Sequence, residues 1–147
     1  MYENWHLRRW ETPMSDVDHL FMESLTDRGG RLQIEVGDYV NNEAVSRYRI
    51  TFENYPAYRN ILEEYRLQLW QTRAANVHSG ATGWTLIVND SPWIREFDNE
   101  PLLTLFNKEL LHYVVVTEDD VIEVLSNRAP MIELIPQRQN VANEASS

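Results

Sequence analysis

The sequence predicts an α+β fold: a mostly antiparallel sheet of about five to six strands, with helices packed on one face. Two observations support this prediction. Short apolar or alternating segments recur along the chain, and several follow one another with only a turn between them, which is typical of antiparallel strands. Other segments repeat their apolar residues at helical spacing, and such helices would bury their apolar face against the sheet.

The first predicted helix begins near Ser15, a residue type that caps helices, and ends at Gly29–Gly30. The second begins at Pro56, because proline suits the first turn of a helix, and its apolar side chains share one face up to Leu69. A strand is the competing interpretation of both segments, so residues 56–70 stay open between helix and strand.

Two shorter helical segments are predicted nearer the carboxyl terminus. Ser91 can cap a single helical turn that carries Trp93 and Phe97. Residues 101–111 place several leucines and a phenylalanine on one face, which predicts a second short helix. Residues 71–83 are polar and predict a loop between the second helix and the next strand.

The predicted strands carry β-branched and aromatic residues in alternating or continuous apolar runs. The first two form an antiparallel pair with a long polar loop at residues 37–45 between them. The strongest pattern is a carboxyl-terminal hairpin with an acidic turn. The predicted strands are residues 32–36, 48–52, 84–88, 112–117, 121–125 and 131–135.

The size and charge of the chain limit its class. With 147 residues it suits one domain, which we assign to residues 1–135, followed by a polar tail at 136–147 that we expect to be disordered. A net charge of −10 repels nucleic acids and anionic membranes. The chain has no cysteine, no apolar amino-terminal leader and no apolar run of the ~20 residues that a membrane helix needs. We therefore expect a cytoplasmic protein that binds neither nucleic acid nor membrane.

No familiar catalytic or cofactor motif occurs, so we predict no cofactor, no metal and no catalytic residue. Three groups carry weaker alternatives. His112 opens an apolar strand and is either a structural residue or an acid–base group. Asp16, Asp18 and His19 are competent metal ligands, but neighbouring residues on a helix do not converge on one point, and the two aspartates fit the first turn of a helix. Glu63 and Glu64 are adjacent carboxylates, for which a solvated face is the simpler interpretation.

The best candidate for a binding site is the acidic turn Glu118–Asp119–Asp120, together with Glu123 in the strand that follows. Acidic clusters favour basic partners by raising the association rate, although a soluble hairpin turn has the same composition. Trp84 and Trp93 flank a polar turn and are either core residues or part of an interface.

The carboxyl-terminal third resembles the closing strands of small uncharacterised acidic bacterial proteins. The resemblance rests on residues 112–126 and Pro130, with support from Arg49–Phe52 and Ser91–Ile94. In size, acidity and architecture the chain is similar to immunity proteins, which neutralise toxins. This similarity implies a binding role and carries no functional residue over to this chain.

Three functions follow from these patterns. The first is a non-catalytic, immunity-like interaction module that binds a basic protein. The second is a small-molecule binding domain or an enzyme of unfamiliar type, with its pocket between the sheet and a helix. The third is an assembly subunit, which an exposed apolar patch would indicate.

Overall fold

The computed structural model describes residues 5–62, 69, 82–97, 100 and 109–136. These residues form nine strands in two antiparallel sheets. One sheet has five strands in the order β1-β6-β7-β8-β5, and the other has four in the order β2-β3-β4-β9. The strands are β1 His6–Arg9, β2 Leu20–Arg28, β3 Arg31–Val40, β4 Glu43–Phe52, β5 Ala57–Leu62, β6 Thr85–Asn89, β7 Leu111–Val116, β8 Asp120–Ser126 and β9 Met131–Ile135.

Two tight turns shape the four-stranded sheet. Gly29 and Gly30 have φ of 60° and 76° in the turn between β2 and β3, and Asn41 and Asn42 have φ of 53° and 64° in the turn between β3 and β4. Two successive residues with positive φ define the hairpin turn whose twist matches that of the strands. The long loop expected between β3 and β4 is therefore wrong, because both strands extend to a two-residue turn.

The two sheets face each other across a shared apolar core. Buried side chains of β3 and β4, such as Ile34 and Phe52, pack in one cluster with those of β7 and β8, such as Tyr113 and Ile122. The other face of the five-stranded sheet is also buried. There Val114 and Val116 of β7 join a second cluster that includes Leu69. Because both of its faces are covered, β7 is a continuous apolar run.

The α+β prediction is wrong. Among the described residues, helix is limited to Leu69 and to the single turn Pro92–Arg95, and the remainder is strand or irregular. The predicted helix after Ser15 is β2 instead. Its register shifts between Met22 and Ser24, so the core-facing residues are Leu20, Met22 and Leu25. The extra residue of this β-bulge turns the alternation of a strand into a spacing that resembles a helix.

The second predicted helix begins as a strand, because residues 57–62 form β5 and pair with β8. Its pattern is misleading since Arg59 lies against a buried carboxylate of β8, while Asn60 and Leu62 are exposed at the edge of the sheet. Tertiary ion pairing thus reverses the usual relation between polarity and burial.

Most strand predictions are confirmed, including the acidic hairpin β7–β8 and the last strand β9. The helical turn capped by Ser91 is also confirmed, since its Oγ accepts a hydrogen bond from the Ile94 backbone nitrogen at 3.2 Å. The strand β1 was not predicted. The predictions for Glu63, Glu64, most of the loop at 71–83, most of the helix at 101–111 and nearly all of the tail lie outside the described residues.

Substitution of Ile34 tests the packing of the shared core, because this side chain is fully buried near the centre of β3. Ile34→Ala removes buried carbon atoms and leaves a cavity, so we expect the free energy of unfolding to fall by about 2–5 kcal/mol. Val45→Ala on β4 is the control. That side chain is 51% exposed, and the expected change is within about 0.5 kcal/mol. Urea unfolding measures both variants, and equal losses would contradict the packing of the two sheets.

Candidate functional site

A polar cluster lies on the outward face of the five-stranded sheet, inside otherwise apolar surroundings. Glu123 of β8 is fully buried, and Arg59 of the neighbouring β5 binds both of its oxygens, with Nε and Nη2 at 2.9 and 3.0 Å. His112 of β7 lies on the other side, with its Nε2 2.9 Å from Glu123 Oε1. The register of the sheet places the three residues on adjacent strands.

The second imidazole nitrogen of His112 reaches the helical turn, because Nδ1 lies 2.6 Å from Ser91 Oγ. Trp5 and Trp93 meet the imidazole edge to face, with ring centroids 5.0 and 5.2 Å away. The Arg59 guanidinium lies 4.1 Å above the Trp93 ring, a distance suited to cation–π attraction. The cluster therefore connects three strands to the loop that carries Ser91.

The ionisation of Glu123 follows from competing effects. Burial raises the pKa of this carboxyl group, but hydrogen bonds from His112 and Arg59 and the charge of Arg59 outweigh burial and lower it below its ordinary value. The group is thus a carboxylate that accepts hydrogen bonds, and His112 Nε2 donates to it. Removing either neighbour would leave a buried charge without full compensation.

Ser91, His112 and Glu123 stand in the order of a serine nucleophile, its base and a carboxylate that orients the base. All three side chains are buried, with exposed fractions of 3% for Ser91 and 0% for the other two. Ser91 Oγ also accepts the cap hydrogen bond of the helical turn. In the described structure the three groups connect β7, β8 and the helical turn.

A different kind of surface lies at the other end of β7, where carboxylates gather from three parts of the chain. We call it the acidic end, and define it as Asp18, Asp38, Glu118, Asp119 and Asp120. The Glu118 backbone nitrogen donates to the Leu20 carbonyl at 2.8 Å, which joins the β7–β8 turn to the start of β2. Among the described residues its one ion pair is that between Glu118 and the exposed His19, at 2.9 Å.

The charges of the acidic end perturb its titrating groups. The hydrogen bond to Glu118 raises the pKa of His19, and the charges of Glu118, Asp18 and Asp38 act in the same direction. Partial burial raises the pKa of Asp120, and the charge of Asp119 adds to this. The raised pKa of His19 has the sign expected of an excess of negative charge, whereas that of Asp120 comes chiefly from burial.

The structure separates the candidate partner-binding residues. Glu118, Asp119 and Asp120 lie in or beside the β7–β8 turn, and the backbone of Trp84 pairs with the nearby Val116. Glu123 points into the buried cluster instead of the acidic surface. The two tryptophans are half-buried: Trp84 Nε1 donates to the Val17 carbonyl at 2.7 Å, and Trp93 packs beneath Arg59 at the opposite end of β7.

Asp16 and His19, which the sequence offered as possible metal ligands, contact different partners. Arg9 binds both oxygens of Asp16, at 2.9 and 2.6 Å, and His19 contacts Glu118. In the part of the chain that the structure describes, no group of three potential ligands converges on one point. Within the same residues, no helix has the length and apolar character needed to cross a membrane.

In the sequence, Ser91, His112 and Glu123 lie far enough apart that no local pattern connects them. The available indication was a histidine and a glutamate inside two strands that are otherwise apolar, because a buried charge needs a partner. Arg59 lies in the segment 56–70 that stays open between helix and strand, so its pairing with Glu123 was not predicted. Comparison with known proteins adds no assignment, since the chain matches no protein family, no curated protein and no solved structure.

The buried cluster predicts a large stability effect for Glu123→Gln. Loss of the carboxylate leaves Arg59, whose side chain is 27% exposed, and the buried His112 without their charged acceptor, so the free energy of unfolding should fall by about 3 kcal/mol at neutral pH. Glu118→Gln is the control, because its partly exposed ion pair should contribute at most about 1 kcal/mol. Denaturant unfolding of both variants gives the comparison.

The same unfolding measurement, repeated at lower pH, shows whether the ionised form of Glu123 is the one that stabilises the fold. The folded-state pKa of Glu123 lies below its ordinary value of 4.5, so its stabilising contribution is present above pH 4.5 and is lost as the pH falls through the folded-state pKa. The wild type should lose stability in that range, and the Gln variant should lose less. Parallel pH profiles would contradict an ionised, stabilising Glu123.

The acidic end predicts a shifted titration of His19. Its imidazole pKa should lie above the ordinary 6.5, and Glu118→Gln should return it towards that value, because the principal hydrogen bond is lost. Asp16→Asn is the control, since Asp16 is held by Arg9. NMR titration of the imidazole gives each pKa directly. An unchanged value in the Glu118 variant would show that the contact does not form in solution.

Proposed function

We propose that this protein is a non-catalytic interaction module that binds a basic protein through its acidic end. The main support is that five carboxylates from three separate segments lie close together. Among the described residues, the imidazole of His19 is the one basic group that forms an ion pair with any of them. Such a concentration of negative charge raises the rate of association with a cationic partner and disfavours anionic ones.

Exposed apolar side chains lie beside these carboxylates and add to the support. Val40 and Val45 flank the β3–β4 turn, and the Tyr39 backbone nitrogen donates to the His19 carbonyl at 2.9 Å, so this turn adjoins the acidic end. Leu62, which pairs with Asp120 in the sheet, is also exposed. Protein interfaces combine apolar contact area with polar groups around it, and both are present here.

More specifically, we propose an immunity-like role in the cytoplasm, in which the module would bind and neutralise a basic protein. The support for this form is the sequence resemblance together with the acidic surface. The alternative, a ligand pocket between the sheet and a helix, has less support, because the only continuous helix in the described residues is one four-residue turn.

A pull-down from the native host tests the proposal, with two variants of equal net charge. Asp18→Lys with Asp119→Lys reverses two exposed carboxylates of the acidic end, and Glu96→Lys with Glu100→Lys reverses two exposed carboxylates near the other end of β7. We expect the wild type and the second variant to recover one basic protein in stoichiometric amount, released by high salt. The first variant should lose it.

Binding kinetics with the purified partner then measure the electrostatic contribution. The association rate of the acidic-end variant should fall at least about tenfold at low salt, with a weaker salt dependence, while the control keeps the wild-type rate. If the pull-down recovers no protein partner at either salt concentration, the proposal is overturned. Equal losses in the two variants would show that net charge, and not the acidic end, governs binding.

A further inference from the structure

A separate pocket of about 470 Å³ opens on the outward face of the four-stranded sheet. Its walls combine two aromatic rings, an aliphatic side chain, an amide and an ion pair. The lining residues are Phe21, Met22, Glu23, Tyr39, Asn42 and Arg47. The rings of Phe21 and Tyr39 meet edge to face at 5.3 Å and form one side of the pocket.

Local irregularities of the sheet shape this pocket. Met22 pairs with Val36 and Ser24 with Glu35, so Glu23 is the extra residue of the β-bulge. Bulges redirect a side chain, and here Glu23 reaches Arg47. Gly37 leaves the necessary room, because a Cβ at this position would lie 2.5 Å from Glu23 Oε1 and 2.9 Å from the Tyr39 ring.

The ion pair in the pocket is incomplete. Arg47 Nη2 lies 3.0 Å from Glu23 Oε2, whereas Arg47 Nε and Glu23 Oε1 are buried and have no hydrogen-bond partner in the described structure. The pair between Arg59 and Glu123 shows the complete arrangement, in which Nε and Nη2 each meet one carboxylate oxygen. Two residues that line the pocket therefore carry one unused donor and one unused acceptor, both shielded from solvent. Buried groups of this kind are normally satisfied.

We propose that the pocket binds a small molecule that carries a planar amide next to an aromatic ring. On binding, the side chains of Arg47 and Glu23 turn towards the pocket. The amide oxygen then accepts from Arg47 Nε–H, the amide nitrogen donates to Glu23 Oε1, and the ring packs against Phe21 and Tyr39. A carboxylate brings only acceptors and is repelled by Glu23. An amidine brings only donors and is repelled by Arg47. The pocket adjoins the β3–β4 turn, but none of its lining residues belongs to the acidic end.

NMR titration with benzamide, benzoate and benzamidine tests the proposal, because the three probes share a ring and differ in their donors and acceptors. Benzamide should shift the signals of Phe21, Tyr39, Asn42 and Arg47 and bind at least about tenfold more tightly than the other two. Failure of benzamide to bind, equal binding of the three probes, or shifts confined to other residues would each overturn the proposal.

Two variants and a matched control connect binding to the pocket. Gly37→Ala fills the space beside Glu23, and Arg47→Lys keeps the charge but removes Nε–H; each should weaken benzamide binding at least about tenfold. Arg49→Lys, two residues further along β4, should leave it unchanged, because Arg49 pairs with Glu35 and Glu133. If the Gly37→Ala variant does not fold, benzamide binding by the Arg47→Lys variant alone tests the proposal. An equal loss in Arg49→Lys would overturn the assignment.

Discussion

The carboxylate of Glu123 is the constraint on which the five-stranded sheet depends. A glutamate in the middle of an apolar strand is tolerated only when its charge is compensated, and Arg59 and His112 compensate it from the strands on either side. Ser91 extends the connection to the helical turn. The pairing of β5, β7 and β8 and the position of the loop after β6 are therefore fixed by one set of hydrogen bonds, in addition to apolar packing.

Charged side chains are arranged differently at the two ends of β7. Near His112 the charge of Glu123 is buried and is matched at close range by Arg59, so this pair favours one arrangement of the strands. Beyond Val116 the carboxylates are largely exposed and mostly unmatched within the described residues, so their field extends into solvent. The first arrangement is suited to holding a fold together, and the second is suited to recognition. The proposed function rests on this difference.

The sequence was informative where a residue's pattern depends on its own strand. The hairpin β7–β8 and strand β9 were predicted because their runs are β-branched and bounded by turns. Prediction failed at β2 and β5 because partner strands decide those patterns: a bulge changed the spacing around Glu23, and Glu123 holds Arg59 against the sheet. The acidic turn was located correctly, but the buried cluster requires pairings between residues up to 64 positions apart.

The two-residue turns on either side of β3 have a consequence for how the chain reaches its native state. They bring β2, β3 and β4 together through contacts between near neighbours in sequence, which cost little loop entropy. The five-stranded sheet instead needs His6 beside Asn89 and Ala57 beside Leu125. Proteins rich in local contacts fold faster than those with distant pairings. We therefore expect the three-stranded meander to form first and closure of the five-stranded sheet to be the slow step.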